Sequence, residues 1–159
     1  VFREVWAVEP DDARAWHGVG SGLFALQDGA GAREALGKAV ALDGENLEYR
    51  QSWGSVLAAA GEWAAAAREW ERVRAAKPES VEAASNLGIL YVEMGQIAQG
   101  EAELRRALQL DRERESGYAN LVQLYRRIGK KQEARAVVAD WLRRQPQNRK
   151  ALEFWEELK

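Results

Sequence analysis

His17 and Ser21 stand four residues apart, a spacing that puts a base and a hydroxyl on one face of a helix. Base-assisted attack by that hydroxyl is the chemistry such a pair would perform, and it needs a third group to orient the imidazole. No such group can be assigned. The run His17-Gly18-Val19-Gly20-Ser21-Gly22 has the composition of a phosphate cradle, but a cradle follows a strand and opens a helix. This run lies inside a helical pattern. Glu69 and Glu71, like Glu101 and Glu103, are two apart and point to different helix faces. Asp11-Asp12 and Asp43-x-Glu45 fall in turns and signal a cation only weakly. With one histidine and no cysteine, multi-histidine cages, thiolate sites, disulfides and cysteine nucleophiles are excluded. No catalytic, cofactor-binding or metal-ligating residue is assigned, and no enzyme is expected.

The elements that position these side chains follow from a repeat. Pro10, Pro78 and Pro146 are 68 apart, and other residues keep half that beat. Gly20, Gly54 and Gly88 are 34 apart, with Val122 next. Gly61, Gly95 and Gly129 are 34 apart, with Gln27 before them. Ala32, Ala66, Gly100 and Ala134 form a small column, and Leu36, Trp70, Leu104 and Val138 a bulky one. The chain of 159 residues divides into blocks 13–46, 47–80, 81–114 and 115–148. Residues 1–12 are expected to be a partial repeat, with 1–9 as a second helix, and 149–159 one more first helix. That last helix reads either as a solubilising cap or as the cut edge of a longer array. The chain opens at Val1 rather than at methionine, so it reads as an excerpt.

Each block predicts two helices. In the third, Leu87, Leu90 and Tyr91 make an apolar face at spacings of three and four. Gly95 stops the helix in a left-handed conformation. The face resumes at Ile97, Leu104, Ala107, Leu108 and Leu110, and Pro78 and Pro146 occupy the turns between blocks. No segment alternates like a strand, so the fold class is all-α. The seven tryptophans invite an aromatic cage. Trp16, Trp53, Trp70, Trp141 and Trp155 instead fall in packing columns; Trp63 shares the column of Ile97, and Trp6 that of Leu108 and Leu142. The first block holds half of the 14 glycines. Each costs roughly 0.5–1 kcal/mol inside a helix, so this block is expected to fray first.

The 34-residue helix-turn-helix period resembles the tetratricopeptide repeat. The motif residues are Trp16, Gly20, Leu23, Ala32 and Leu36, then Trp53, Gly54, Leu57, Ala66, Trp70 and Pro78. They continue as Leu87, Gly88, Tyr91, Gly100 and Leu104, and as Tyr118, Leu121, Tyr125, Ala134, Val138 and Pro146. Arg50 departs from the pattern where an aromatic is usual, and Gly44 and Arg112 where proline is usual. The resemblance implies a right-handed α-solenoid of antiparallel helix pairs, a superhelix that needs stacked neighbours to bury its faces. It also implies that the first helices line a concave groove.

Groove residues would then be His17, Ser21 and Phe24 in the first block and Gln51, Ser52 and Ser55 in the second. Ser85, Asn86, Ile89 and Val92 follow in the third, and Asn120, Gln123, Arg126 and Arg127 in the fourth. Some relatives clamp acidic chaperone tails with cations. The matching positions, His17, Ser21, Ser52, Glu82 and Asn86, or Gln51, Ser55, Asn86, Ser116 and Asn120 one block later, lack them. Asn86 and Asn120 share a column that suits the backbone of an extended peptide or simply faces water.

Overall charge is −2, from 23 basic and 25 acidic residues, which argues against a nucleic-acid partner. No apolar run is long enough to insert in a membrane. Residues 1–12 carry one base and four acids, whereas 115–148 carry seven bases and three acids. Arg126, Arg127, Lys130 and Lys131 cluster at one turn. A solvated face explains this, and so does an acidic partner or head-to-tail self-association. The expected function is a cofactor-free scaffold holding an extended peptide or partner helix in its groove. A self-assembling array and a regulatory or targeting segment of a larger enzyme are the alternatives.

Overall fold

Local stops and starts that recur every 34 residues write the secondary structure. The computed structural model describes residues 11–159, and Phe2, Trp6, Pro10 and the second helix expected over 1–9 lie outside them. Nine α-helices occur among the described residues: α1 Ala13–Ala25, α2 Gly29–Leu42, α3 Leu47–Ala59, α4 Trp63–Ala76, α5 Val81–Glu93, α6 Ile97–Leu110, α7 Glu115–Arg127, α8 Lys131–Arg144 and α9 Arg149–Glu157. The odd-numbered helices start at 13, 47, 81, 115 and 149, each 34 residues after the last.

Four of these five starts are capped by a side chain. Asp12 Oδ1 accepts from Ala15 N at 3.0 Å, Asn46 Oδ1 from Glu48 N at 3.1 Å, Ser80 Oγ from Ala83 N at 3.1 Å, and Asn148 Oδ1 from Ala151 N at 3.0 Å. Each satisfies a backbone donor that has no partner inside the helix. Arg114, in the same column, gives no side-chain cap. The turn within each pair needs one left-handed residue, supplied by Gly61, Gly95 and Gly129 at φ of 78°, 77° and 73°. Gln27 takes the same place at φ 64°. It is the one position of the column without glycine, and it carries the associated strain.

Contacts divide the chain into two compact units, Val1–Pro78 and Glu79–Lys159. In the first, α1 pairs with α2 and α3 with α4. Leu23, Ala32, Leu36 and Val56 form a core cluster, with Val19 and Trp53 against it. Trp70 is fully buried beside Gly54, where an added Cβ would meet its indole nitrogen at 2.8 Å. In the second, α5 pairs with α6 and α7 with α8, and α9 packs on α8. Its core gathers Leu104, Tyr118, Leu121, Tyr125, Val138 and Trp141. Leu152, in the column of the buried Tyr118, is instead 45% exposed.

Tryptophans therefore divide by depth. Trp70 and Trp141 are fully enclosed, whereas half-buried Trp16 lies under Lys38 Nζ at 4.1 Å and half-buried Trp155 under Arg135 at 5.3 Å. Packing explains all four.

The glycines of α1 differ sharply in their surroundings. A Cβ at Gly18 or Gly22 meets nothing within 4 Å, whereas at Gly20 it would lie 2.5 Å from Leu36 Cγ and 3.0 Å from Leu36 N. Gly18→Ala and Gly22→Ala are each expected to raise stability by about 0.5–1 kcal/mol through the backbone alone. Gly20→Ala is expected to lower it by about 1–3 kcal/mol, because α1 and α2 must separate. Urea unfolding of the three variants checks this, and equal effects would contradict it.

Candidate partner-binding site

The candidate positions fall into two sets, one in each unit. In the first unit, α1 and α3 bring His17, Ser21 and Ser52 together. His17 Nε2 lies 2.8 Å from Ser52 Oγ and 3.4 Å from Ser21 Oγ, and the imidazole packs against the Tyr49 ring at 4.8 Å. Among the described residues no carboxylate bonds the other ring nitrogen. The triad needed to make a serine nucleophilic is therefore not assembled there; the set ties α1 to α3. Ser55 Oγ donates to the Gln51 carbonyl at 2.9 Å. Phe24 stands exposed at the end of α1.

In the second unit, α5 and α7 position Ile89, Val92, Asn120, Gln123 and Arg127 around one cleft of about 180 Å³, floored by Leu104 and Leu124 and edged by Glu93. Ile89 is 41% exposed on its wall. Asn120 and Gln123 have no hydrogen-bond partner among the described residues, so both amides offer donor and acceptor. Arg127 Nη1 donates to Glu93 Oε1 at 2.6 Å across the rim, joining α7 to α5. A partner entering here meets an apolar floor, two free amides and an ion pair.

Val92 corrects an expectation. It was expected to face the groove from outside the core, but it is 7% exposed and belongs to the core cluster. Gly100 is the reason: its missing side chain lets α6 come so close that a Cβ there would meet Val92 Cγ2 at 2.6 Å. Val92 is floor, not wall.

Asn86 and Asn120 share a column but not a state. Asn86 Nδ2 donates to the Glu82 carbonyl one turn back at 3.0 Å, while Asn120 keeps its amide for the cleft. Ser85 is half-buried, and its hydroxyl is enclosed without a partner. Arg126 leaves the set altogether. Its guanidinium pairs with Glu157 at 2.8 Å and lies 5.7 Å from the Phe154 ring, tying α7 to α9. Two of the four cations at the α7–α8 turn are thus neutralised internally, which weakens the basic patch.

Behind the cleft, α6 and α7 share a part-buried network. Tyr125 Oη donates to Glu101 Oε1 at 2.7 Å and accepts from Arg105 Nη2 at 2.7 Å. Burial raises the pKa of Tyr125, while the hydrogen bond to Tyr125 raises that of Arg105. Burial also raises Tyr118, with the Asp140 charge adding to it. Both phenols therefore stay protonated as donors in neutral solution. Among the described residues, no group of three or more His, Cys, Asp or Glu could hold a metal ion, and no helix is long and apolar enough to cross a membrane.

A tetratricopeptide repeat family model matches residues 57–119. No curated protein matches the sequence. Among solved structures, MamA from Desulfovibrio magneticus superposes with a TM-score of 0.75 at 22% identity, over 92% of this chain and 77% of that one. Pseudomonas aeruginosa PilF does so with 0.75 at 21%, over 94% and 68%. YrrB, described as a tetratricopeptide protein with an unusual peptide-binding site, gives 0.72 at 19%, over 93% and 76%. These likenesses show an all-α fold of stacked helix pairs. Residues 57–119 thus match the tetratricopeptide repeat, and the chain around them has the fold of the solved structures it resembles.

Proposed function

We propose that this protein binds an extended peptide segment of a protein partner in the cleft between α5 and α7. The observation that carries the reading is the conjunction of an apolar floor at Val92, Leu104 and Leu124 with the unpartnered amides of Asn120 and Gln123. An apolar side chain of the peptide fills the floor against Ile89, and the amides satisfy the peptide backbone beside it. Binding is by complementarity alone, with no cofactor. The listener to this site is a protein rather than a nucleic acid, because the rim charges, Glu93 and Arg127, cancel.

Peptides selected from a random displayed library against the whole chain supply the test. Asn120→Ala is expected to weaken a selected peptide by roughly 5- to 150-fold, the effect of leaving a desolvated backbone group unpaired at about 1–3 kcal/mol. Ile89→Arg, at a position 41% exposed on the cleft wall, is expected to abolish binding. Full affinity in both variants would overturn the reading.

A further inference from the structure

A second cleft lies on the other side of α7, between α6 and α8. Its floor is apolar, made by Leu108, Leu121 and Val137 over the rings of Tyr118 and Tyr125, and it encloses about 300 Å³. A smaller cavity continues it toward Gln109 and Arg112, sharing Arg105, Leu108, Tyr118 and Asp140 with it. Tyr118 lines both. Tyr118 is fully buried, and its hydroxyl has no hydrogen-bond partner, an arrangement that costs about 1–3 kcal/mol unless something completes it.

The walls carry opposite signs. The α6 side presents Arg105 and Arg112, and the α8 side Glu133 and Asp140. Arg105 is held by Glu101 at 2.9 Å and Asp140 by Arg143 at 2.9 Å. Arg112 and Glu133 have no partner among the described residues. The two helices run in the same sense, since Gln145 at the end of α8 donates to the carbonyl of Glu113, just past α6, at 2.9 Å. The free cation therefore marks the C-terminal end of the cleft, and the free anion at the start of α8 marks its N-terminal end.

We infer that this cleft receives an amphipathic helix of a partner protein, lying antiparallel to α6 and α8, with acidic residues in its first turn beside Arg112 and basic residues in its last turn beside Glu133. Length agrees: Glu133 to Asp140 spans two turns, about 10 Å, room for one apolar stripe at i, i+3 and i+7. Orientation agrees independently. A helix prefers acids at its N-terminus and bases at its C-terminus, and its dipole prefers to oppose those of α6 and α8. A polar side chain at the acidic end of the stripe would complete the Tyr118 hydroxyl.

The test uses two fluorescein-labelled fourteen-residue helical peptides with one leucine stripe. One carries glutamates in the first turn and lysines in the last; its twin has them exchanged. With the whole chain, the first is expected to bind about tenfold more tightly, a difference of 1.4 kcal/mol. The double variant Arg112→Glu, Glu133→Lys is expected to reverse that preference. Ala136→Arg, at an exposed position in the cleft, is expected to remove binding, while Ile89→Arg in the other cleft leaves it intact. Equal affinity for the twins, no binding, or binding that survives Ala136→Arg would each overturn the proposal. Retained folding of each variant is read from its helical circular dichroism.

Discussion

Replacing Glu69 by alanine is expected to destabilise the first unit by about 3–5 kcal/mol, the cost of leaving a buried charge unpaired. Arg50 stands in the column of Ala84 and Tyr118 and is only 8% exposed. Its Nη1 donates to Glu69 Oε2 at 2.6 Å, so the pair welds α3 to α4 where other repeats of the chain use apolar packing. Removing the carboxylate leaves the guanidinium only the fully exposed Glu45, 4.0 Å away. Replacing both partners, Arg50→Tyr with Glu69→Leu, removes that penalty and is expected to be neutral or to stabilise by about 1–4 kcal/mol. Chemical denaturation of the single and double variants, read as a cycle, measures the coupling. A single variant as stable as the parent would show that water reaches the guanidinium.

Trp141→Ala is the counterpart in the second unit, with an expected loss of about 3–5 kcal/mol. The indole is fully buried, stacks on Tyr118 at 5.3 Å and 11°, and meets Phe154 at 6.4 Å. Its Nε1 donates to Gln145 Oε1 at 3.0 Å. One side chain thus joins α7, α8 and α9, and Gln145 in turn anchors the following loop. The variant is expected to lose the docking of α9 first, visible as early hydrogen exchange over Arg149–Leu158. Uniform loss of protection across the unit would contradict that order.

Much of the fold was legible because a repeat states each rule several times. The glycine column at 20, 54 and 88 is a packing column: a Cβ at each would strike Leu36, Trp70 or Leu104 within 3.0 Å. The column at 61, 95 and 129 is a conformational one, fixed by positive φ. Both appear in the sequence as the same letter at the same interval, and only coordinates separate their causes. The cap column, Asp12, Asn46, Ser80 and Asn148, recurs in the sequence at the same interval.

The candidate site was harder to read, because helical phase says which face a residue occupies and not how closely the next helix approaches. Val92 shows this. Its phase is that of a groove residue, and Gly100 on another helix draws it into the core. Arg126 and Arg127 show the same limit for charge. Adjacent in sequence, they pair with Glu157 and Glu93 on different helices, partners chosen by tertiary distance. The Asn86 amide turned back to its own helix, a local bond that a column of identical residues cannot reveal.

The central claim is that the α5–α7 cleft is where a protein partner is held. The most direct measurement is the change in backbone and side-chain amide chemical shifts of the labelled protein on titration with a library-selected peptide. The account predicts that the largest changes fall on the Asn120 and Gln123 side-chain amides and around Ile89, with Asn86 little altered. Changes confined to α1 and α3 around His17 and Ser52, or absent from the cleft altogether, would contradict it.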